Sequence, residues 1–150
     1  MNPYAEQLAD ATDAVTAAWA RRSIRALLRA AGVAEDDRLT QRIEQAAGET
    51  ESYVRAALRE FLALDVDDQR TNPLAVLRSA VRFPTAALRE AGVPEVRRDE
   101  FEVRSFPDDV YRLSPATWND IDESLQEPGI IWGAWKAKTV LDRRRAEGKR

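Results

Sequence analysis

The chain contains neither cysteine nor histidine. Without cysteine there is no disulfide, no thiolate nucleophile and no cysteine-based zinc or iron–sulfur site. Without histidine the usual general base near neutral pH and the commonest metal ligand are also missing. Catalysis would have to rest on carboxylates, lysine, tyrosine or a bound cofactor. No run approaches eighteen apolar residues, so no membrane-spanning helix and no membrane partner are expected. The opening MNPYAEQLADATD is acidic where a secretory leader would be basic and then apolar, and the chain therefore reads as cytoplasmic.

What is present suits one helical domain over residues 1–150. The chain is 44% apolar and 33% charged, enough to build a core beneath a charged helical surface. Its net charge of −3 is unevenly placed. Residues 136–150 hold seven basic side chains against Asp142 and Glu147, a local +5, so the remainder carries −8. An acidic body thus ends in a basic segment, of which 146–150 are expected to fray.

Apolar periodicity predicts a first helix over 4–31. Tyr4, Leu8, Ala11, Val15 and Trp19 share one face, and a rotated set of Ile24, Leu27, Leu28 and Ala31 follows. The rotation implies either a bend near 21–23 or two halves packed on different neighbours. A second helix is expected over 35–47, ended by Gly48, and a third over 51–64 with a broad apolar face. Asn72 caps a fourth helix beginning at Pro73. Pro84 is expected to force Phe83 out of helical geometry and to restart a short helix reaching Ala91.

Two elevens of sequence, LRAAGVAEDDR (28–38) and LREAGVPEVRR (88–98), agree at seven positions. The pattern fits two glycine-terminated helix ends, with Leu28 packing on Val33 and Leu88 on Val93. It does not fit a DNA-binding helix-turn-helix. The positions four before and six after each glycine hold Leu28 and Arg38, then Leu88 and Arg98, where small and apolar residues belong.

DVDDQRTNP (65–73) begins like a calcium loop. Its sixth and twelfth places are Arg70 and Val76 rather than glycine and glutamate, which leaves a solvated turn.

Beyond residue 100 the periodicity weakens and aromatics gather, six of the eleven lying at or after Phe101. A short helix near 97–105, with a hairpin around PDD as the alternative, should lead into an irregular segment pinned by aromatics, then a turn capped by Ser114 before Pro115. Asp108, Asp109, Asp120, Asp122 and Glu123 in this region are ordinary turn and cap residues that would otherwise suit magnesium or calcium.

The last helix is expected over 128–145. Ile130, Ala134, Ala137 and Leu141 form its narrow apolar stripe, the natural core face. Trp135 falls roughly 140° from Ile130 and Trp132 about 200° from it, at 100° per residue. Trp132 therefore needs a second cover, with Phe106, Tyr111 or Trp118 as candidates, or it stays exposed beside Lys136 as part of a binding face. Arg143, Arg144 and Arg145 either complement the helix dipole or contact an acidic partner.

The runs PDDVYRLSPATWNDID and EPGIIWGAWKA, within residues 81–145, resemble a family of conserved hypothetical proteins of actinobacteria. The resemblance covers under half the chain. It implies no activity and carries no catalytic residue over.

The sequence therefore reads as an all-α single-domain bundle of six or seven helices, with an irregular aromatic segment over about 101–127 packed on it. No catalytic, cofactor-binding or metal-binding residue is assigned, and no cofactor is expected. The expected function is a non-catalytic protein-interaction module. Its partner, a protein sooner than a nucleic acid, would meet Trp132, Lys136, Arg143, Arg144 and Arg145. Binding of nucleic acid or another acidic partner through the basic last helix is the alternative, and a carboxylate- and metal-dependent enzyme the third reading.

Overall fold

A computed structural model describes residues 1–148. The chain is all-α, with six α-helices and two 3₁₀ turns among the described residues: α1 (Pro3–Ala30), α2 (Asp37–Ala63), α3 (Leu74–Ala80), α4 (Arg82–Glu90), α5 (Glu100–Ser105) and α6 (Gln126–Ala146), the turns being Trp118–Asp120 and Glu123–Leu125. Among the described residues there is no strand, and no helix is long and apolar enough to cross a membrane.

The framework is the antiparallel pair α1 and α2. Along α1 the most deeply buried line is Ala5, Ala9, Thr12, Thr16 and Ala20. On α2 the small residues Ala46, Ala47 and Thr50 are fully buried as well. Small side chains let the two backbones approach closely. The threonines tolerate burial because each hydroxyl donates to the carbonyl four residues back: Thr12 to Leu8, Thr16 to Thr12 and Thr50 to Ala46, all at 2.7 Å. The buried face of α1 is thus turned from the expected stripe towards these small residues, and Tyr4 is left half in solvent against Trp135.

Gly48 does not end a helix. Its backbone is helical, and the stripe Ile43, Ala47, Thr50, Val54, Leu58 and Leu62 continues through it, joining the two expected helices into one. One glycine costs a helix about 1 kcal/mol, less than the packing of a continuous apolar face returns. The break near Pro84 is also displaced. Val81 separates α3 from α4, and Phe83 is helical, because Pro84 lies in the first turn of α4 where its missing N–H removes no bond.

Both repeated helix ends have the expected form. Gly32 and Gly92 adopt left-handed φ of 70° and 78°. Val33 N donates to Leu28 O at 2.9 Å and Val93 N to Leu88 O at 3.1 Å. The repeated glutamates have a role too, since Glu35 returns to Arg25 and Glu95 to Arg89. Glu35 is held down to about 2 by its hydrogen bonds from Arg25 and Thr40.

The two halves of α1 serve different cores, without need of a bend. Leu8 and Trp19 join Val54, Leu58, Leu77, Ile121, Leu125 and Trp132. Ile24 and Leu28 join Ile43, Leu88, Val93 and Tyr111.

The segment after α4 divides in two. From Tyr111 to Leu125 it lies on the bundle, its carbonyls gripped by arginines: Arg22 reaches Ile121 O at 2.7 Å and Arg78 reaches Pro115 O at 2.9 Å. The stretch around α5 is not packed on the bundle, contrary to expectation. None of the α5 residues is buried, and Phe101 is 74% exposed. Nor does Ser114 start a helical turn. Its N–H donates to Asp109, and the turn begins after Thr117, where Asp120 accepts from Ala116 N and Thr117 N.

Candidate functional site

Helix α6 packs against α1 and the two 3₁₀ turns at the edge of the bundle. Its orientation decides the fate of every residue expected to meet a partner. Trp132 is only 4% exposed and sits in the core with Ile121 and Leu125. It cannot present a ring to another protein, and its place in a binding face is corrected. Pro128 and Gly129 are buried beside it, and the Trp118 indole lies directly on Gly129, where no β-carbon would fit. Of the three covers expected for Trp132, Trp118 alone packs on its cluster; Phe106 is exposed and Tyr111 belongs to the other core.

Lys136 extends across the same face. Its ammonium lies 5.4 Å from the centre of the Trp132 ring and donates to Gln69 O at 2.6 Å. Arg143 binds Asp65 and, at 2.8 Å, Asp67. The guanidinium holds the Asp65 carboxyl below its ordinary range, and the paired carboxylates push the Arg143 value up. The loop that began like a calcium site is therefore clamped to α6 by a lysine and an arginine. Lys136 and Arg143 are structural clamps, already engaged within the chain.

Arg144 and Arg145 stay exposed, and no ion pair involves them among the described residues. The helix continues through Ala146 and is closed by Gly148, with φ 73° and its N–H on Arg145 O. The rest of the segment expected to fray, Lys149 and Arg150, lies outside the described residues.

The stripe expected to form the core faces solvent instead. Ile130 is 63% exposed and Leu141 47%, with Ala134 and Ala137 exposed between them. Along this outer line the residues are Glu127, Ile130, Ala134, Ala137, Leu141 and Arg144, spaced three and four apart. At its start a shallow groove is lined by Glu123, Gln126, Glu127, Ile130 and Ile131.

A second exposed apolar group was not anticipated. Phe101, Val103 and Phe106 protrude around α5 on a strap held at its base. Val96 N donates to Val110 O at 2.9 Å, and Tyr111 Oη donates to Val93 O at 2.8 Å. Arg98 and Asp109 meet at 3.5 Å with their side chains 6% and 3% exposed, and Asp109 also accepts from Leu113 N and Ser114 N.

The acidic residues of 108–123 do not converge. Asp109, Asp120 and Asp122 each serve a different turn, and no group of three or more metal-type side chains is assembled among the described residues. Another groove, about 550 Å³, lies between the start of α2 and α4 and includes Arg38, Arg42 and Glu90. There Arg42 is engaged by Glu90 and Glu49. No family model, characterised protein or solved structure matches this chain.

Proposed function

We propose that this chain is a non-catalytic protein-interaction module whose binding face is the outer side of α6. One observation carries the reading. A 21-residue helix, already packed on one side, keeps Ile130, Ala134, Ala137 and Leu141 in solvent on the other. Scattered exposed apolar residues are ordinary, but a continuous line of them along a helix marks a surface suited to a second helix. Arg144 and Arg145 remain as its basic rim, while Trp132, Lys136 and Arg143 support it from behind.

The absence of cysteine makes the test clean. Ala134→Cys places a single thiol on the stripe, and Glu60→Cys places one on an exposed site of α2. Thiol labelling is followed in dilute purified protein and in native cell extract. A partner occupying the face nine-tenths of the time slows labelling of A134C about tenfold in extract, by simple mass action, and leaves E60C unchanged. Equal rates for A134C in both settings, and in concentrated purified protein as well, refute the reading.

A further inference from the structure

The outer line of α6 reads almost the same in both directions. Glu127, Ile130, Ala134, Ala137, Leu141 and Arg144 alternate at spacings of three and four, the seam of a two-helix coiled coil. About a point between Trp135 and Lys136 the line is a palindrome in shape and an inversion in charge. Ala134 mirrors Ala137, Ile130 mirrors Leu141, and Glu127 mirrors Arg144. The inward positions of the same helix, Pro128, Gly129, Trp132, Trp135, Lys136, Thr139 and Arg143, are those turned to the bundle, so the seam is independent of the fold.

Resting on the interaction reading above, we infer that the partner is a second copy of this chain, its α6 running antiparallel across the first about a two-fold axis. In that register each Ala134 meets the opposing Ala137, and the small pair at the centre lets the helices approach towards the short end of the usual range, about 8 Å. Each Leu141 enters the groove lined by Glu123, Gln126, Glu127, Ile130 and Ile131. Each Arg144 reaches the opposing Glu127, which gives two equivalent ion pairs at the ends. A two-fold interface requires this self-complementarity, in which one residue's contact is repeated with the roles exchanged.

A parallel pairing would place Glu127 on Glu127 and Arg144 on Arg144, so charge favours the antiparallel one. In the antiparallel register the Lys138 side chains flank the axis. Each is already balanced by its own Asp142 at 3.0 Å. A single helix seam covers less than the roughly 800 Å² per partner of a standard interface, so the dimer is weak and depends on concentration.

Sedimentation across ~1 to ~500 μM protein reads the assembly directly, since mass action favours the dimer at the upper end. The full chain should pass from monomer to dimer. Ala137→Glu, which touches nothing in the bundle and leaves the circular dichroism spectrum unchanged, should remain monomeric. Glu127→Arg and Arg144→Glu should each weaken association about tenfold, and the double variant should restore most of it. Register is read by oxidation: A134C mixed with A137C should cross-link faster than A134C with itself.

Faster A134C self-linking overturns the antiparallel arrangement. Monomer at every concentration overturns the second copy as occupant. If A134C is then still protected in extract, the interaction reading stands with a different partner. If it is unprotected there as well, both fail.

Discussion

Gly129 and Gly133 stand one turn apart on the same helix, and the fold assigns them opposite responses to alanine. A β-carbon on Gly129 would lie 2.9 Å from both Cγ and Nε1 of Trp118, and closer still to a third indole atom. Carbon contacts are attractive at about 3.5–4.0 Å, so the ring would have to move out of a packed core. Overpacking of this kind costs about 1–3 kcal/mol, and the gain in helix propensity recovers at most about 1 kcal/mol. Gly129→Ala should therefore destabilise the chain by roughly 1–2 kcal/mol. At Gly133 nothing lies within 4 Å of the added carbon. Gly133→Ala should then be stabilising by up to about 1 kcal/mol.

For a domain of this size each kcal/mol moves Tm by about 2–4 °C, so the two variants should straddle the parent and differ by roughly 5–10 °C. Thermal unfolding followed by circular dichroism in dilute solution, where α6 stays unpaired, gives the comparison. A change in the tryptophan emission seen only in G129A would place the cause at the indole. Two variants that rise together would refute the seating of Trp118 on Gly129, and with it the inward orientation of α6.

Glu35, held at about 2 in the folded chain against 4.5 when free, contributes stability that is complete above 4.5 and is lost as pH falls from there towards 2. A carbon-detected titration should find this low value, and Arg25→Ala should raise it towards 4.5; an unchanged value in R25A would remove the assigned cause. Thr16→Leu should cost at least about 1–3 kcal/mol by wedging α1 from α2, whereas Thr16→Val should cost under about 1.5 kcal/mol; equal losses in urea unfolding would argue against close packing there. Asp109→Ala should strand the buried Arg98 and cost about 3 kcal/mol or more. Native-state trypsin cleavage at Arg97 and Arg104 should then accelerate, and an unchanged cleavage rate would show that the pair does not hold the strap.

Much of the fold is legible in the sequence because its punctuation is local. The glycine ends at Gly32 and Gly92 need only their own φ and the leucine–valine contact across them. Long-range packing decides the rest. Thr12, Thr16 and Thr50 register as polar by residue type, yet each closes its hydroxyl on its own helix and then packs like a small apolar side chain. Counted that way, they trace both the deep face of α1 and the unbroken stripe of α2 through Gly48. Lys136 and Arg143 were legible as cations, but their partners Gln69 and Asp65 stand some seventy positions earlier in the chain. No spacing rule reaches that far.

The reversal of α6 has a different origin. Periodicity identifies a core face by contrast, and this helix offers little: Ile130 and Leu141 lie on one side, Trp132 and Trp135 on the other. The narrower aliphatic stripe gives the cleaner pattern, yet burial follows the larger surface. A tryptophan removes more apolar area from water than an isoleucine, at about 25 cal/mol per Å², and Gly129 opens the space that Trp118 needs beside it. The bundle therefore takes the tryptophan side and leaves the aliphatic side outward. A helix apolar on two faces calls for two covers, and the described residues supply only one. That imbalance, rather than any motif, is why the proposed binding face lies on α6.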